Sequence, residues 1–196
     1  MTQISKALDQ GDHQHAQGGT EVGAPRDRET ISRWASHLAG QTPVEIGQTL
    51  PPHSPDCAGC GPDNPSGLHL HAVRTASGVE AVHRFAEGQV GAPGIAHGGA
   101  VALAFDDLFG FALYTVGSLA VTRSLTVDYR APFRLHRTYT FRARVAQHEG
   151  RRLLLHADAW DDAGQKAGSA GATFVVVGPE HFTAVDPETQ LEAECR

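Results

Sequence analysis

Two hydrophobic patterns divide the chain into strands and one helix. Residues 68–74 alternate between apolar and polar side chains, as strands with one buried face do, and residues 79–85 continue after a short Ala-Ser-Gly turn. Four later segments are rich in β-branched and aromatic residues and are separated by turn residues; they cover 119–130, 138–149, 151–161 and 166–177. Because most connections are too short for a crossover, we predict six strands with antiparallel neighbours.

Between the second and third strands, apolar residues follow helical spacing instead. Five of them form one stripe, and further apolar residues widen it on both flanks. The stripe consists of Val101, Ala104, Phe105, Leu108 and Ala112. Only a narrow sector around Asp106 and Asp107 interrupts the apolar surface. Since a helix that is apolar nearly all round is buried, we predict an α+β domain in which the sheet wraps the helix or a second subunit covers it.

The remaining segments flank this domain. Residues 1–45 are predicted to be a mobile tail with a short amphipathic helix, because a Gly- and Gln-rich stretch precedes apolar residues at helical spacing. We assign residues 46–180 to one domain, which suits a chain of 196 residues, and residues 181–196 to a C-terminal tail.

Charge and composition exclude several classes of protein. The net charge is −6, the pI is about 6.0, and no Lys or Arg cluster occurs, so we expect no binding to nucleic acid. The sequence shows neither a secretory signal nor an uninterrupted apolar span of membrane length. We therefore expect a cytoplasmic protein without a membrane partner.

Cys57 and Cys60 form a CxxC pair, and the third cysteine is Cys195. Three cysteines are too few for a disulfide scaffold. A tetrahedral zinc site would need two further donors, and the nearby histidines do not form a second pair at the standard spacing. These histidines are His53, His69 and His71. We therefore favour a structural turn over a metal site and predict no bound metal.

Gly99 and Asp106 are two helical turns apart and share one face of the predicted helix. The unpaired N–H groups of a first helical turn can hold an oxyanion, and a carboxylate in a dry cleft can act as a base or nucleophile. The two residues lie roughly 10 Å apart along the axis, which is too far to act on one carbonyl. Two antiparallel copies would bring Gly99 of one to Asp106 of the other, so we predict a homodimer with two composite sites.

Two adjacent acids in a helix usually mark a solvated face, which is the simplest interpretation of Asp106 and Asp107. The apolar surface around them favours function, because a buried charge is costly without a partner. Their side chains point about 100° apart, so their roles can differ. We assign catalysis to Asp106 and expect Asp107 to pair structurally or to contact substrate.

The chain resembles the hotdog-fold acyl-CoA thioesterases of the phenylacetic-acid-degradation (PaaI-like) type, in the 4-hydroxybenzoyl-CoA thioesterase superfamily, over about residues 57–177. The resemblance rests on the runs HGGAVALAFDD, VTRSLTVDYRAP and GRRLLLHADAWDDAGQKAGSAGATFVV, and on the upstream segment CAGCGPDNPSGLHL. It implies a hotdog fold, in which an antiparallel sheet of about six strands wraps one long central helix, and a homodimer or a tetramer.

The resemblance also assigns roles within the helix. Asp106 matches the catalytic acid, and the backbone N–H of Gly98 or Gly99 matches the group that polarises the carbonyl. His97 matches a histidine that shapes the helix entry, for which we favour positioning over proton transfer.

On the following strand, Ser124 matches a hydroxyl that orients water in some members, and Thr122 is either a substrate contact or an ordinary strand residue. Several members carry an Asn where this chain has Gly91. Gln89 or Asn64 are the candidates to replace it.

Guanidinium groups bind phosphates well, which makes Arg130, Arg151 and Arg152 candidates for the nucleotide end of coenzyme A. At most one of the adjacent pair is expected to face a given groove, and solvated strand-end charges are the simpler interpretation.

We therefore predict an acyl-CoA thioesterase that needs no cofactor, since coenzyme A is part of its substrate. Asp106 would act as general base or as nucleophile. The alternatives are a non-catalytic acyl-CoA-binding protein and an enoyl-thioester hydratase or dehydratase.

Overall fold

The computed structural model describes residues 44–182 and six helical positions ahead of them. Those positions are Glu29, Ser32, Arg33, Ala35, Ser36 and Leu38. Leu38 is fully buried and Ala35 half-buried, as the predicted amphipathic helix requires. The predicted tails lie largely outside the described residues, so their mobility and the domain limits stay predictions.

One helix, α1 (Gly98–Ala112), and eight strands make up most of the described domain. The strands are β1 (Ala72–Thr75), β2 (Gly78–Arg84), β3 (Val90–Ala92), β4 (Ile95–Ala96), β5 (Ala120–Tyr129), β6 (Thr138–Glu149), β7 (Arg152–Asp161) and β8 (Lys166–Val176). Within residues 44–182, six of them form a sheet in the order β1-β2-β6-β7-β8-β5, and β3 pairs with β4. All neighbours are antiparallel, as predicted.

The sheet wraps α1, which contacts β2, β5, β6, β7 and β8. Apolar residues are buried on most sides of the helix, and Phe105 meets Phe141 of β6 edge to face at 5.1 Å between ring centroids. Each fully buried side chain of this size stabilises the fold by about 1.5–3 kcal/mol. The predicted burial of the helix is therefore confirmed. None of the helices in the described part of the chain has the length and hydropathy needed to cross a bilayer.

The first strand differs from the prediction. Residues 68–71 lie outside β1, although Leu68 and Leu70 are buried as the alternation requires. Their backbone N–H groups donate to Ala58 O and Gly59 O, both at 2.9 Å. The CxxC loop therefore takes the hydrogen bonds that a neighbouring strand would have made.

Candidate active site

His97 caps the N-terminus of α1. Its backbone is extended (φ −60°, ψ 135°), and its Nδ1 accepts the Gly99 N–H at 2.9 Å. Such a cap satisfies one of the N–H groups that a first helical turn leaves unpaired. The Gly98 N–H, in contrast, has no acceptor among the described residues. Of the two predicted carbonyl-polarising groups, Gly98 is therefore the one available to a ligand.

Strands β3 and β4 lead the chain into this cap, and Gly91 makes the approach possible. A Cβ at position 91 would lie 2.6 Å from His97 Cα, so the Asn of related proteins does not fit on this backbone. The Gln89 side chain accepts the Ala86 N–H at 2.8 Å. The Asn64 amide bonds Asp56 O and the Ser66 N–H within its own loop. Both proposed replacements for the Asn are thus held in local turns.

A groove of about 430 Å³ opens at the N-terminus of α1. Its lining includes Gly98, Val101, Tyr129, Arg130 and Phe133. The Tyr129 hydroxyl donates to Gly98 O at 2.7 Å and fixes the first turn of the helix against β5. The groove therefore presents apolar walls, a free N–H group and one guanidinium.

The three candidate arginines do not converge within one chain. Arg130 pairs with Asp128 at 3.2 Å beside the groove. Arg151 donates to Val176 O, where β8 ends. Tyr129, at the end of β5, pairs with Gly168 at the opposite end of β8. Arg152 begins β7 and pairs with Val175 of β8, at the same end of the sheet as Arg151.

Asp106 lies half-buried in a separate pocket of about 230 Å³. Its Oδ1 accepts a hydrogen bond from Thr122 Oγ1 at 2.9 Å. Burial raises the pKa of the Asp106 carboxyl, and the hydrogen bond from Thr122 opposes that shift. A carboxylate fixed at a pocket wall with a raised pKa is a suitable general base or nucleophile.

A bulge in β5 decides which hydroxyl meets Asp106. Thr122 pairs with Phe174, whereas Ser124 pairs with Thr173, because the register shifts between Thr122 and Ser124. Directly paired residues share one face of a sheet. Phe174 is buried against α1, so Thr122 faces the helix and Ser124 lies on the outer face. Within one chain, the hydroxyl beside the Asp106 carboxylate is therefore that of Thr122, and the water-orienting role of Ser124 stays a prediction.

Asp107 faces away from Thr122 and contacts the loop before β1. It is buried, with 7% of its surface exposed, and its Oδ1 lies 3.0 Å from His53 Nδ1 and 3.2 Å from Cys57 Sγ. Burial raises the pKa of the Asp107 carboxyl. Burial disfavours charge on His53, but its hydrogen bonds to Asp107 and Cys57 raise the pKa of the imidazole to about 9. The expectation of a structural pair fits this geometry better than a substrate contact does.

Sequence analysis considered His53 only as a zinc donor and did not place it beside Asp107, with which it borders the pocket of Asp106. The available signal was the spacing of His53 before the CxxC pair and a buried aspartate that needed a partner. The other two histidines considered, His69 and His71, are exposed and lie outside the group of side chains that surrounds Asp107.

The catalytic candidates of one chain occupy two places. Gly98 and Asp106 are eight residues apart on α1, or roughly 12 Å, and each borders its own cavity. The Gly98 N–H and the Asp106 carboxylate of one chain therefore do not face the same carbonyl-sized group.

The domain resembles several solved thioesterase structures. A thioesterase superfamily protein is 24% identical over 80% of this chain and 86% of its own, with a TM-score of 0.58. The PaaI protein from the phenylacetic acid degradation operon of E. coli is 16% identical over 55% of this chain and 83% of its own, with a TM-score of 0.52. A hypothetical thioesterase from Streptococcus pneumoniae, solved with coenzyme A, is 19% identical over 56% and 86%, with a TM-score of 0.53.

These structural similarities establish the fold, while the sequence itself matches the family described as the Thioesterase superfamily over residues 93–167. No protein of curated function matches the chain significantly. The matched segment begins beside the His97 cap and contains α1 and β5, which carry the candidate site. This segment thus resembles the thioesterase superfamily, and the domain around it has the hotdog fold.

Proposed function

We propose that the protein hydrolyses acyl-CoA thioesters to a free carboxylic acid and coenzyme A. The observation that carries this proposal is the half-buried Asp106, hydrogen-bonded by Thr122, on a helix whose first N–H, at Gly98, has no acceptor among the described residues. Coenzyme A in the S. pneumoniae structure and acetyl-CoA in a Streptococcus mutans protein of the same fold support the substrate class.

Thr122 has further support from the comparisons. Asp106 and Thr122 are 16 residues apart, the same separation as the Asp and Thr replaced by Ala in two further structures of a hypothetical thioesterase from S. pneumoniae. We assign Thr122 to the orientation of the Asp106 carboxylate.

In the proposed reaction, the thioester carbonyl accepts a hydrogen bond from the Gly98 N–H, which stabilises negative charge on the oxygen. Asp106 either removes a proton from water, whose oxygen then attacks the carbonyl carbon, or attacks that carbon itself and is released by water. In both routes the C–S bond breaks and the coenzyme A thiolate takes up a proton. His97 uses its Nδ1 to cap Gly99, which favours hydrolysis over a hydratase that needs this ring for proton transfer.

We propose that two chains share each site. Within the described residues, β5 pairs only with β8 and leaves one edge of the sheet open. An open edge of ten residues is a template for pairing with a second copy around a two-fold axis. Such a dimer would bring Gly98 of one subunit towards Asp106 of the other and would join the two cavities.

Arg130 borders the groove at Gly98 and is the guanidinium that we assign to the coenzyme A phosphates. Arg151, at the far end of β8, would contact the same ligand only from a partner subunit.

A panel of acyl-CoA substrates, read with a thiol reagent, tests the activity. Gly98→Pro is the sharpest variant, because proline suits the first position of a helix and lacks the N–H. The extended backbone of His97 is compatible with a following proline. We expect a loss of turnover of about 10²-fold or more, whereas Gly98→Ala, which keeps the N–H, should lose far less.

Mixing two inactive variants tests the shared site. Dimers that combine Gly98→Pro with Asp106→Asn would contain one intact site, so about a quarter of the wild-type activity should return in a random mixture. If the subunits exchange but no activity returns, each site lies within one chain. Thermal stabilisation by acyl-CoA without thiol release across the panel would instead support a non-catalytic binding protein.

A further inference from the structure

Residues 51–71 form a long segment without helix or strand that nevertheless packs closely on the domain. Long irregular connections are uncommon in compact domains and need their own contacts to stay ordered. Leu68 and Leu70 anchor the end of the segment in the core. Its first half is instead attached to α1 through polar side chains.

Four such side chains meet where the segment crosses α1. This four-residue cluster consists of His53, Cys57, Cys60 and Asp107. Its metal-binding atoms all lie within 4.8 Å of one another.

The distances within the cluster suit one small cation. His53 Nδ1 lies 3.0 Å from Asp107 Oδ1 and 3.3 Å from Cys60 Sγ. Cys57 Sγ lies 3.2 Å from Asp107 Oδ1. Bonds of about 2.0–2.3 Å to a tetrahedral Zn²⁺ place neighbouring ligand atoms roughly 3.3–3.8 Å apart. To admit the ion, the short pairs would have to open by a few tenths of an ångström, and the widest pair, up to 4.8 Å apart, would have to close by about 1 Å.

The backbone of the loop donates a hydrogen bond to one sulfur atom of the cluster. The His53 N–H donates to Cys60 Sγ at 3.3 Å. Hydrogen-bond donors next to the ligand atoms are characteristic of metal sites.

Glycines keep the space around the cluster open. A Cβ at Gly59 would collide with the Asp107 carboxyl, and one at Gly61 would collide with the Cys57 backbone. At Gly110 a Cβ would lie 2.6 Å from His53 Cε1. The loop can approach α1 this closely only because these positions lack side chains.

One polar atom of the cluster points to a missing partner. Asp107 Oδ2 is buried and makes no hydrogen bond with the described residues. Buried acceptors are nearly always satisfied, because leaving one unpaired costs about 1–3 kcal/mol. The distances above involve Oδ1, so a cation would satisfy Oδ2 only if it also contacted this second oxygen of the carboxylate.

We propose that the four-residue cluster binds one Zn²⁺ ion through both cysteine thiolates, the His53 imidazole and the Asp107 carboxylate. Two sulfur donors and one imidazole select zinc over the hard cations Mg²⁺ and Ca²⁺. Binding releases the thiol protons to solvent and changes no oxidation state. Four protein ligands fill the tetrahedron, so the site is structural and leaves no position for water or substrate.

The ion would attach residues 53–60 to the middle of α1 beside Asp106. His53 and Asp107 also line the pocket that contains the Asp106 carboxyl, so the zinc site forms one wall of that pocket. The proposal does not depend on thioester hydrolysis, because its evidence is the cluster alone.

Metal analysis of the full-length protein, purified without chelators, tests the proposal. We expect one zinc per chain, which Cys57→Ser and Cys60→Ser should abolish. Cys195→Ser, at the third cysteine of the chain, and Asp106→Asn, at the neighbouring carboxylate, are the matched controls and should keep it.

Cobalt titration of chelator-treated protein keeps the test informative if a cysteine variant fails to fold. Co²⁺ should give the visible bands of a tetrahedral ion and a thiolate charge-transfer band at one equivalent, and Zn²⁺ should displace it. A strong chelator should lower the Tm of the wild type by about 5 °C or more.

Three results would overturn the proposal: protein that neither contains zinc nor takes up Co²⁺ after reduction, zinc retained equally by both cysteine variants, or a Cys57–Cys60 disulfide that takes up no metal once reduced.

Discussion

Asp106 and Asp107 are chemically identical neighbours on α1, yet they have different surroundings. Asp106 borders a pocket and receives one hydrogen bond, from Thr122 of β5. Asp107 is buried against His53 and Cys57 of the loop before β1. A rotation of about 100° per helical residue turns one carboxylate towards the sheet edge and the other towards the loop. Adjacent positions can therefore separate chemistry from structural support.

The largest expected effect is that of Asp106→Asn on turnover. Removal of the base or nucleophile should lower kcat by about 10²–10⁴-fold, while the Tm stays close to that of the wild type, because the amide keeps the shape of the carboxylate. Thiol release and thermal unfolding measure the two quantities. Wild-type turnover in this variant would remove Asp106 from the mechanism.

Asp107→Asn should produce the opposite result. Loss of the charge that faces His53 breaks a buried ion pair, so the free energy of unfolding should fall by about 3 kcal/mol. Denaturant unfolding measures this loss. If Asp107→Asn lowered turnover as much as Asp106→Asn and left stability unchanged, the division of roles between the two residues would be wrong.

Gly59→Ala probes the surroundings of Asp107 without a change of charge. Its Cβ would collide with the Asp107 carboxyl, and we expect a destabilisation of about 1–3 kcal/mol. Gly88→Ala is the matched control, because a Cβ there meets nothing within 4 Å. Equal unfolding free energies for both variants would show that the loop can move away from α1 without cost.

The smallest effect concerns the surroundings of Asp106. Thr122→Ala removes a hydrogen bond to the carboxylate and should lower turnover roughly tenfold, with a smaller loss for Ser124→Ala on the outer face. The hydrogen bond from Thr122 lowers the pKa of Asp106, so its removal should raise that pKa further. Because the ionised form is active, the acid limb of the pH–rate profile should move to higher pH. A shift to lower pH, or none, would contradict the assigned role of Thr122.

Local periodicity was sufficient to predict the strands and the buried helix, because each pattern reports the face that its own element buries. It failed at residues 68–71, where the backbone bonds the CxxC loop instead of a strand. It also missed the pairing of His53 with Asp107, which are 54 residues apart. Contacts between distant segments depend on loop paths that no local pattern records.

The bulge in β5 determines which of its side chains share one face of the sheet. Thr122 reaches Asp106 and Tyr129 reaches Gly98, so one strand holds both ends of the catalytic half of α1. These two residues are an odd number of positions apart, and in a regular strand such residues point in opposite directions. The extra residue between Thr122 and Ser124 restores the match. Deletion of that residue would leave the strand intact, but only one of the threonine and tyrosine side chains could then face α1.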